Sequence, residues 1–343
     1  MSALGREHVV ACRLASGSSA TSVIAIPSAA EPDADSSRVI QRAIDVAGKS
    51  GGAIVQLPAG RLNLARPLIL KDNVELRGSG PSTVLKASPQ FLDFPGPHGG
   101  HPLVTTDGAD NVTIKDLTGD HSGDLLKAND SAGRMYEYLI DVRYSTNVRV
   151  EGILTRNPFT YSIAVVASNR FSIRRNATTV ATSGLYDQLD GIHVLDSHEG
   201  MVVGNHVDQG AVADGDDGLV AHAMGGAVHD VVFMHNTVRG GRHGAGMQFA
   251  VGDDGIHDIT VVGNWFWESP VGVHTGYYEG HGPVDRIVVR DNTFVDIPGR
   301  SVDFFGRLSG ITVTDNVRCR SGKFKVDAGK GNRVEGNTDR HRP

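Results

Sequence analysis

The sequence carries two cysteines in 343 residues, Cys12 and Cys319, one near each end. That scarcity excludes a disulfide framework and a zinc site built on CxxC spacing, and it leaves two free thiols. No stretch approaches the roughly 18 consecutive apolar residues of a spanning helix, which excludes a transmembrane segment. Blocks of basic charge are missing too. The formal net charge is -6, so nucleic acid is not an expected partner, and a highly anionic polymer is a poor one. Met1 to Ser19 lacks a charged leader followed by an apolar run. With Met1 as the native start this implies a cytoplasmic protein; with a leader already removed, a secreted one. Glycine, by contrast, is plentiful at 43 residues.

What fills the chain is a repeat. From about residue 147, short runs of alternating β-branched residues end again and again in asparagine. These are Asn176, Asn205, Asn236, Asn264, Asn292, Asn316 and Asn337, spaced by 29, 31, 28, 28, 24 and 21 residues. Alternation indicates strands, and a period of roughly 20–50 residues indicates a solenoid. Asparagines at one turn of every coil can bond to their counterparts above and below, as in an amide ladder.

A second series runs in step. Gly191, Gly218, Gly246 and Gly272 each open a strand, and Ser301 continues the set. The residue after each (Ile192, Leu219, Met247, Val273, Val302) is apolar and predicted to stack inside the coil. Side chains alternate across a strand, so the flanking positions face outward. They are Asp190, Asp217, Ala245 and Val271 on one side, and His193, Val220, Gln248, His274 and Asp303 on the other. This polar strip is where function is expected.

The N-terminal region reads differently. Residues 1–30 are expected to be an extension and 31–343 the solenoid. Ser36 or Ser37 suits a helix N-cap before Val39 to Ala47, whose apolar spacing is helical. Gly51 and Gly52 end that helix, which would close the open end of the coil. The stretch from about Ser88 to Arg134 is expected to be a loop excursion beside the strip. The fold class is therefore all-β: a single-stranded right-handed parallel β-helix with an N-terminal capping α-helix.

The opening segment, with Gly51-Gly52, the strand Ala53 to Leu57, Pro58-Ala59-Gly60 and then Val74 to Gly78, resembles that of pectate-lyase-like β-helix proteins. A narrower likeness is to polygalacturonase-like glycoside hydrolases. Leu189-Asp190-Gly191 stands where that family has TDG, Gly215-Asp216-Asp217 where it has GDD, and His243-Gly244 resembles part of its GHG. The sequence departs at Gln188, which replaces an asparagine, and after Gly272, where His274 follows in place of the family's basic pair. The resemblance implies Asp216 as general acid, with Asp190 and Asp217 holding the water. Because the basic pair grips a uronate carboxylate in that family, its loss argues against a galacturonide.

Read from the residues alone, the acidic cluster admits three readings. Adjacent coils place Asp190 and Asp217 roughly 4.8 Å apart at the backbone, and crowded carboxylates raise one another's pKa, which supplies an acid for glycoside hydrolysis. Asp-Gly sequences also make ordinary turns, and Gly252 to Gly255 repeats the motif without evident partners. A calcium ion is the third reading, although no metal site is assigned. His193 is a candidate base. His243, Gln248, His274, Tyr277 and Asp303 are candidate substrate contacts, and Trp265 and Trp267, alternating on one strand, could stack on sugar. The leading expectation is a carbohydrate-active enzyme cleaving a glycosidic bond by inversion. A lyase or epimerase with a histidine base, or a non-catalytic carbohydrate-binding solenoid, would use the same strip differently.

Overall fold

A computed structural model describes residues 22–28, 34–129, 138–180, 188–210 and 215–340. They wind into a right-handed parallel β-helix in which each coil gives one strand to each of three parallel sheets. One coil shows the order. Ile192–Leu195 lies in the third sheet, His198–Val203 in the first and His206–Asp208 in the second, before Leu219 begins the next coil. Inward positions are apolar and stack between coils: Ile192 pairs with Leu219, then Met247, Val273 and Val302. All five are fully buried. The period-2 pattern thus becomes continuous columns, and the glycine-led series has the expected register throughout.

The asparagine ladder forms between the first and second sheets. In each coil the Nδ2 group of Asn176, Asn205, Asn236, Asn264, Asn292 and Asn316 donates to the Oδ1 of the next asparagine at 2.9–3.0 Å. The same amide donates back to a carbonyl of the coil before; Asn236 Nδ2, for example, reaches Val202 O at 2.9 Å. The residue ahead of each asparagine takes a left-handed conformation, with φ of 64° at Gly204, 54° at His235 and 65° at Gly263. This explains why Gly or a short polar residue so often precedes the ladder residue. Asn236→Ala leaves the backbone N–H and one amide hydrogen of Asn205 without their acceptor in a buried turn, and takes a donor from the Val202 carbonyl. We expect a loss of about 2–4 kcal/mol in a denaturant titration; a loss below about 1 kcal/mol would mean the ladder is ornamental to stability.

The helix forms over Ser37–Lys49 and buries Ile40, Ile44 and Ala47 over the first coil. Ser36 occupies the N-cap without a side-chain bond. Asp35 does the capping instead, its Oδ1 accepting from the Ser37 N–H at 2.9 Å and from the Ala65 N–H at 3.1 Å. Two expectations are corrected. Val23–Ala25, inside the supposed extension, pairs with Ile54–Gln56 as a strand of the first sheet. The stretch from Ser88 is not one loop: Val104–Thr105, Thr113–Lys115 and Thr118–Asp120 are coil strands, one in each sheet. A second, surface asparagine ladder, Asn73 to Asn111 to Asn147, ties these early coils together.

Candidate functional site

The acidic residues gather where the chain turns from the second sheet onto the third. Each such turn ends in a glycine that must lie flat against its neighbours. A Cβ at Gly191 would fall 2.3 Å from Val207 Cγ1, and one at Gly218 would fall 2.4 Å from Val238 Cγ1. Asp-Gly at this place therefore serves packing as well as chemistry. It lets two coils close so that Asp190 and Asp217 meet across the coil boundary, the Gly191 N–H donating to Asp217 O at 3.0 Å. Asp190, Asp216 and Asp217 each offer a carboxylate oxygen within 4.8 Å of the others.

Burial divides the trio. Asp190 is 4% and Asp217 3% exposed, while Asp216 is half-buried and faces the cleft. Asp190 Oδ1 accepts from the Asp217 N–H at 3.0 Å, and its Oδ2 lies 2.7 Å from His193 Nδ1. Asp217 Oδ1 accepts from the Ala245 N–H at 2.6 Å. Burial pushes the Asp190 carboxyl up to about 7 against the pull of the Asp217 N–H. Burial raises Asp217 further, reinforced by the negative charges of Asp190 and Asp216. Burial and mutual repulsion thus both favour the protonated form of each carboxyl over a doubly ionised pair.

The trio floors a cleft of about 440 Å³, within the size range of small-molecule sites. Among the described residues its walls include Tyr138, Tyr161, His193, His222, His243, Gln248 and Tyr278, with Leu195, Met224 and Ala250 as an apolar side. His193 is buried, stacked face to face on Tyr161 at 4.2 Å between centroids, and Tyr161 stacks on Tyr138 at 4.7 Å. Its burial pulls the imidazole down to about 3, opposed by the charge of Asp196.

Asp190, Asp216, Asp217, His193, His243 and Gln248 thus come together as expected. Three others do not. Counting outward from His274 along Val273–Glu279 puts Gly276 and Tyr278 outside and Tyr277 inside. Tyr277 accordingly packs against the core and accepts from the Arg307 N–H at 3.1 Å, while Tyr278 lines the cleft. His274 stands one coil past Gln248, its Nε2 3.4 Å from the Gln248 amide, and lies outside the lining. Asp303, a further coil away, pairs with Arg300 at 3.2 Å and Lys325 at 3.8 Å. Trp265 and Trp267 belong to the second sheet, Trp267 beneath the Arg239 guanidinium.

Tyr138 and Tyr161 were not foreseen. The registers Ile140 to Ile163 and Ile163 to Ile192 place both in the column that Asp190 and Asp217 continue. Extending that column two coils toward the N-terminus is the signal that finds them.

The sequence matches no protein-family model and no curated protein. Solved structures share the fold. An exopolygalacturonase from Thermotoga maritima is 18% identical at a TM-score of 0.68, over 85% of this chain and 79% of that one. An endo-xylogalacturonan hydrolase from Aspergillus tubingensis is 14% identical at 0.68, over 94% and 96%. The tailspike of E. coli bacteriophage HK620, solved with a pentasaccharide, is 15% identical at 0.62, over 90% and 62%. These neighbours share with the chain the right-handed parallel β-helix fold that its repeat indicated. Among the described residues no helix is long and apolar enough to cross a membrane.

Proposed function

We propose that the cleft hydrolyses a glycosidic bond in a carbohydrate chain. The observation that carries this reading is the divided trio: a half-exposed Asp216 beside the buried Asp190–Asp217 pair. Asp216, the one that reaches open space, is the group placed to take up a proton and pass it to the leaving oxygen. The pair, holding one proton and one charge, takes a proton from water as that water attacks the anomeric carbon. The fold shared with an exopolygalacturonase and a xylogalacturonan hydrolase supports a carbohydrate chain as the substrate, without extending to the galacturonide itself.

Carboxyl spacing and burial bear differently on stereochemistry. The trio is closer than the about 6.5–9.5 Å usual for inverting pairs. Burial favours inversion nonetheless, because carboxyls 3–4% exposed cannot reach a sugar carbon to form a covalent ester, whereas water can reach them. A lyase or epimerase fits less well. His193 has both ring nitrogens engaged and its pKa held at about 3, and His274 lies outside the cleft. A purely binding solenoid has no use for buried carboxyls, which cost stability.

A panel of glycans scored for both new reducing ends and ultraviolet absorbance separates these readings. Hydrolysis yields reducing ends without the conjugated double bond, and proton NMR of the first product should show the inverted anomer. Absorbance rising with the reducing ends would establish elimination instead. Binding without either signal would leave a carbohydrate-binding solenoid.

A further inference from the structure

Two contacts lead out of the buried pair through imidazoles. Asp190 Oδ2 lies 2.7 Å from His193 Nδ1, and His193 Nε2 lies 3.1 Å from His222 Nδ1. His193 is 3% exposed and held in plane by Tyr161. His222 sits on the next coil, in register with Leu195, and lines the cleft. The carboxylates reach solvent poorly, yet a pair that takes a proton from water must give it up before the next turnover.

We propose that Asp190, His193 and His222 form a proton relay between the buried carboxyl pair and the cleft wall.

The relay has two states. In the first, Asp190 carries the proton and donates to His193 Nδ1; His193 Nε2–H donates to His222 Nδ1; and His222 holds its proton on Nε2. In the second, Asp190 is a carboxylate accepting from His193 Nδ1–H, and His222 Nδ1–H donates to His193 Nε2. Passing outward, the Asp190 O–H bond breaks as His193 Nδ1–H forms, and His193 Nε2–H breaks as His222 Nδ1–H forms. The His222 Nε2 proton then leaves to water in the cleft. One proton exits, and both rings are neutral at start and finish with their tautomers exchanged.

The surroundings favour neutral rings over an imidazolium. The groups facing His193 are Asp190 and the Tyr161 ring from its own side, His222 from the next coil, and Asp196 beyond; Asp216 and Asp217 lie behind Asp190. Desolvation outweighs the attraction of Asp196, which is the condition under which a histidine passes protons by switching tautomer.

The relay's part in turnover rests on the hydrolase reading; its existence does not, and the test needs no substrate. Long-range proton–nitrogen NMR on the full chain with ¹⁵N-labelled histidine reads which ring nitrogen of His193 and His222 carries hydrogen. Both rings should change from Nε2–H to Nδ1–H in step as pH rises through neutrality. In Asp190→Asn the amide at that place donates to His193 Nδ1 and fixes the Nε2–H tautomer, so the change should vanish. His222→Gln keeps a hydrogen-bonding group that cannot pass a proton through itself. Exchange of the His193 proton with water should slow by about tenfold or more in that variant, a span typical of losing one positioned proton carrier. The relay is overturned by a His193 tautomer that stays fixed across the titration, or by a His222 change that persists in Asp190→Asn. Unaltered exchange in His222→Gln also overturns it. Intact tautomer switching in a protein that cleaves no glycan would sink the hydrolase reading alone.

Discussion

Asp216→Asn should slow glycoside cleavage by about 10²–10⁴-fold, the usual contribution of a positioned proton donor. Half-buried at the cleft, Asp216 is the member of the trio able to touch a leaving oxygen. Its loss should therefore depend on how badly that oxygen needs a proton. On an aryl glycoside, whose phenolate leaves unaided, Asp216→Asn should recover most of its rate. Asp217→Asn should not, because water activation is still required whatever the leaving group. Steady-state rates of both variants on both substrates decide the matter. Equal losses in all four measurements would refute the division of labour.

Asp217→Asn should also make the fold more stable at alkaline pH. The carboxyl is 3% exposed, and burial with two neighbouring charges raises its pKa above the unfolded value. A carboxyl whose folded pKa is raised binds its proton more tightly folded than unfolded. It adds no penalty below about pH 4, the unfolded value. Stability is then lost as pH rises from there toward the folded pKa, with Asp190 following up to about 7. The side-chain amide introduced by Asp217→Asn can still accept from the Ala245 N–H and carries no charge to desolvate. We expect a gain of about 1–3 kcal/mol at pH 8, shrinking to nothing near pH 4. Thermal unfolding of both proteins at the two pH values measures it. A gain of equal size at pH 4 would assign the effect to packing and remove charge from the explanation.

The fold was legible because a parallel coil repeats one physical requirement. The inward residue must be apolar, the step before the ladder asparagine must turn left-handed, and from Ser162 to Ser301 the residue opening the third-sheet strand is small. Those demands recur through the middle coils, so Asn205, Gly218 and Leu219 announced themselves by spacing. The site is legible only where it shares that register, as Asp190, Asp217, His193 and Gln248 do. Tyr277, the expected contact, points inward by the alternation of its strand, and its neighbour Tyr278 lines the cleft in its place. Asp303 shares the column of His193, but local ion pairs with Arg300 and Lys325 engage it. Nothing in a strand pattern reports such side-chain pairing. Asp35 took over capping from Ser36 for a similar reason: its carboxylate also reaches Ala65, thirty residues away.

The acidic trio is divided by a coil boundary, with Asp190 on one turn of the solenoid and Asp216 and Asp217 on the next. Hydrogen bonds between coils run along the long axis, so the molecule comes apart joint by joint, each parting largely independent of distant ones. The proposed hydrolysis is therefore tied to one seam among many. Once that seam gapes, the carboxyls separate and the cleft loses its floor, although most of the strands on either side remain paired. The proposed cleavage should be lost long before the protein is unfolded.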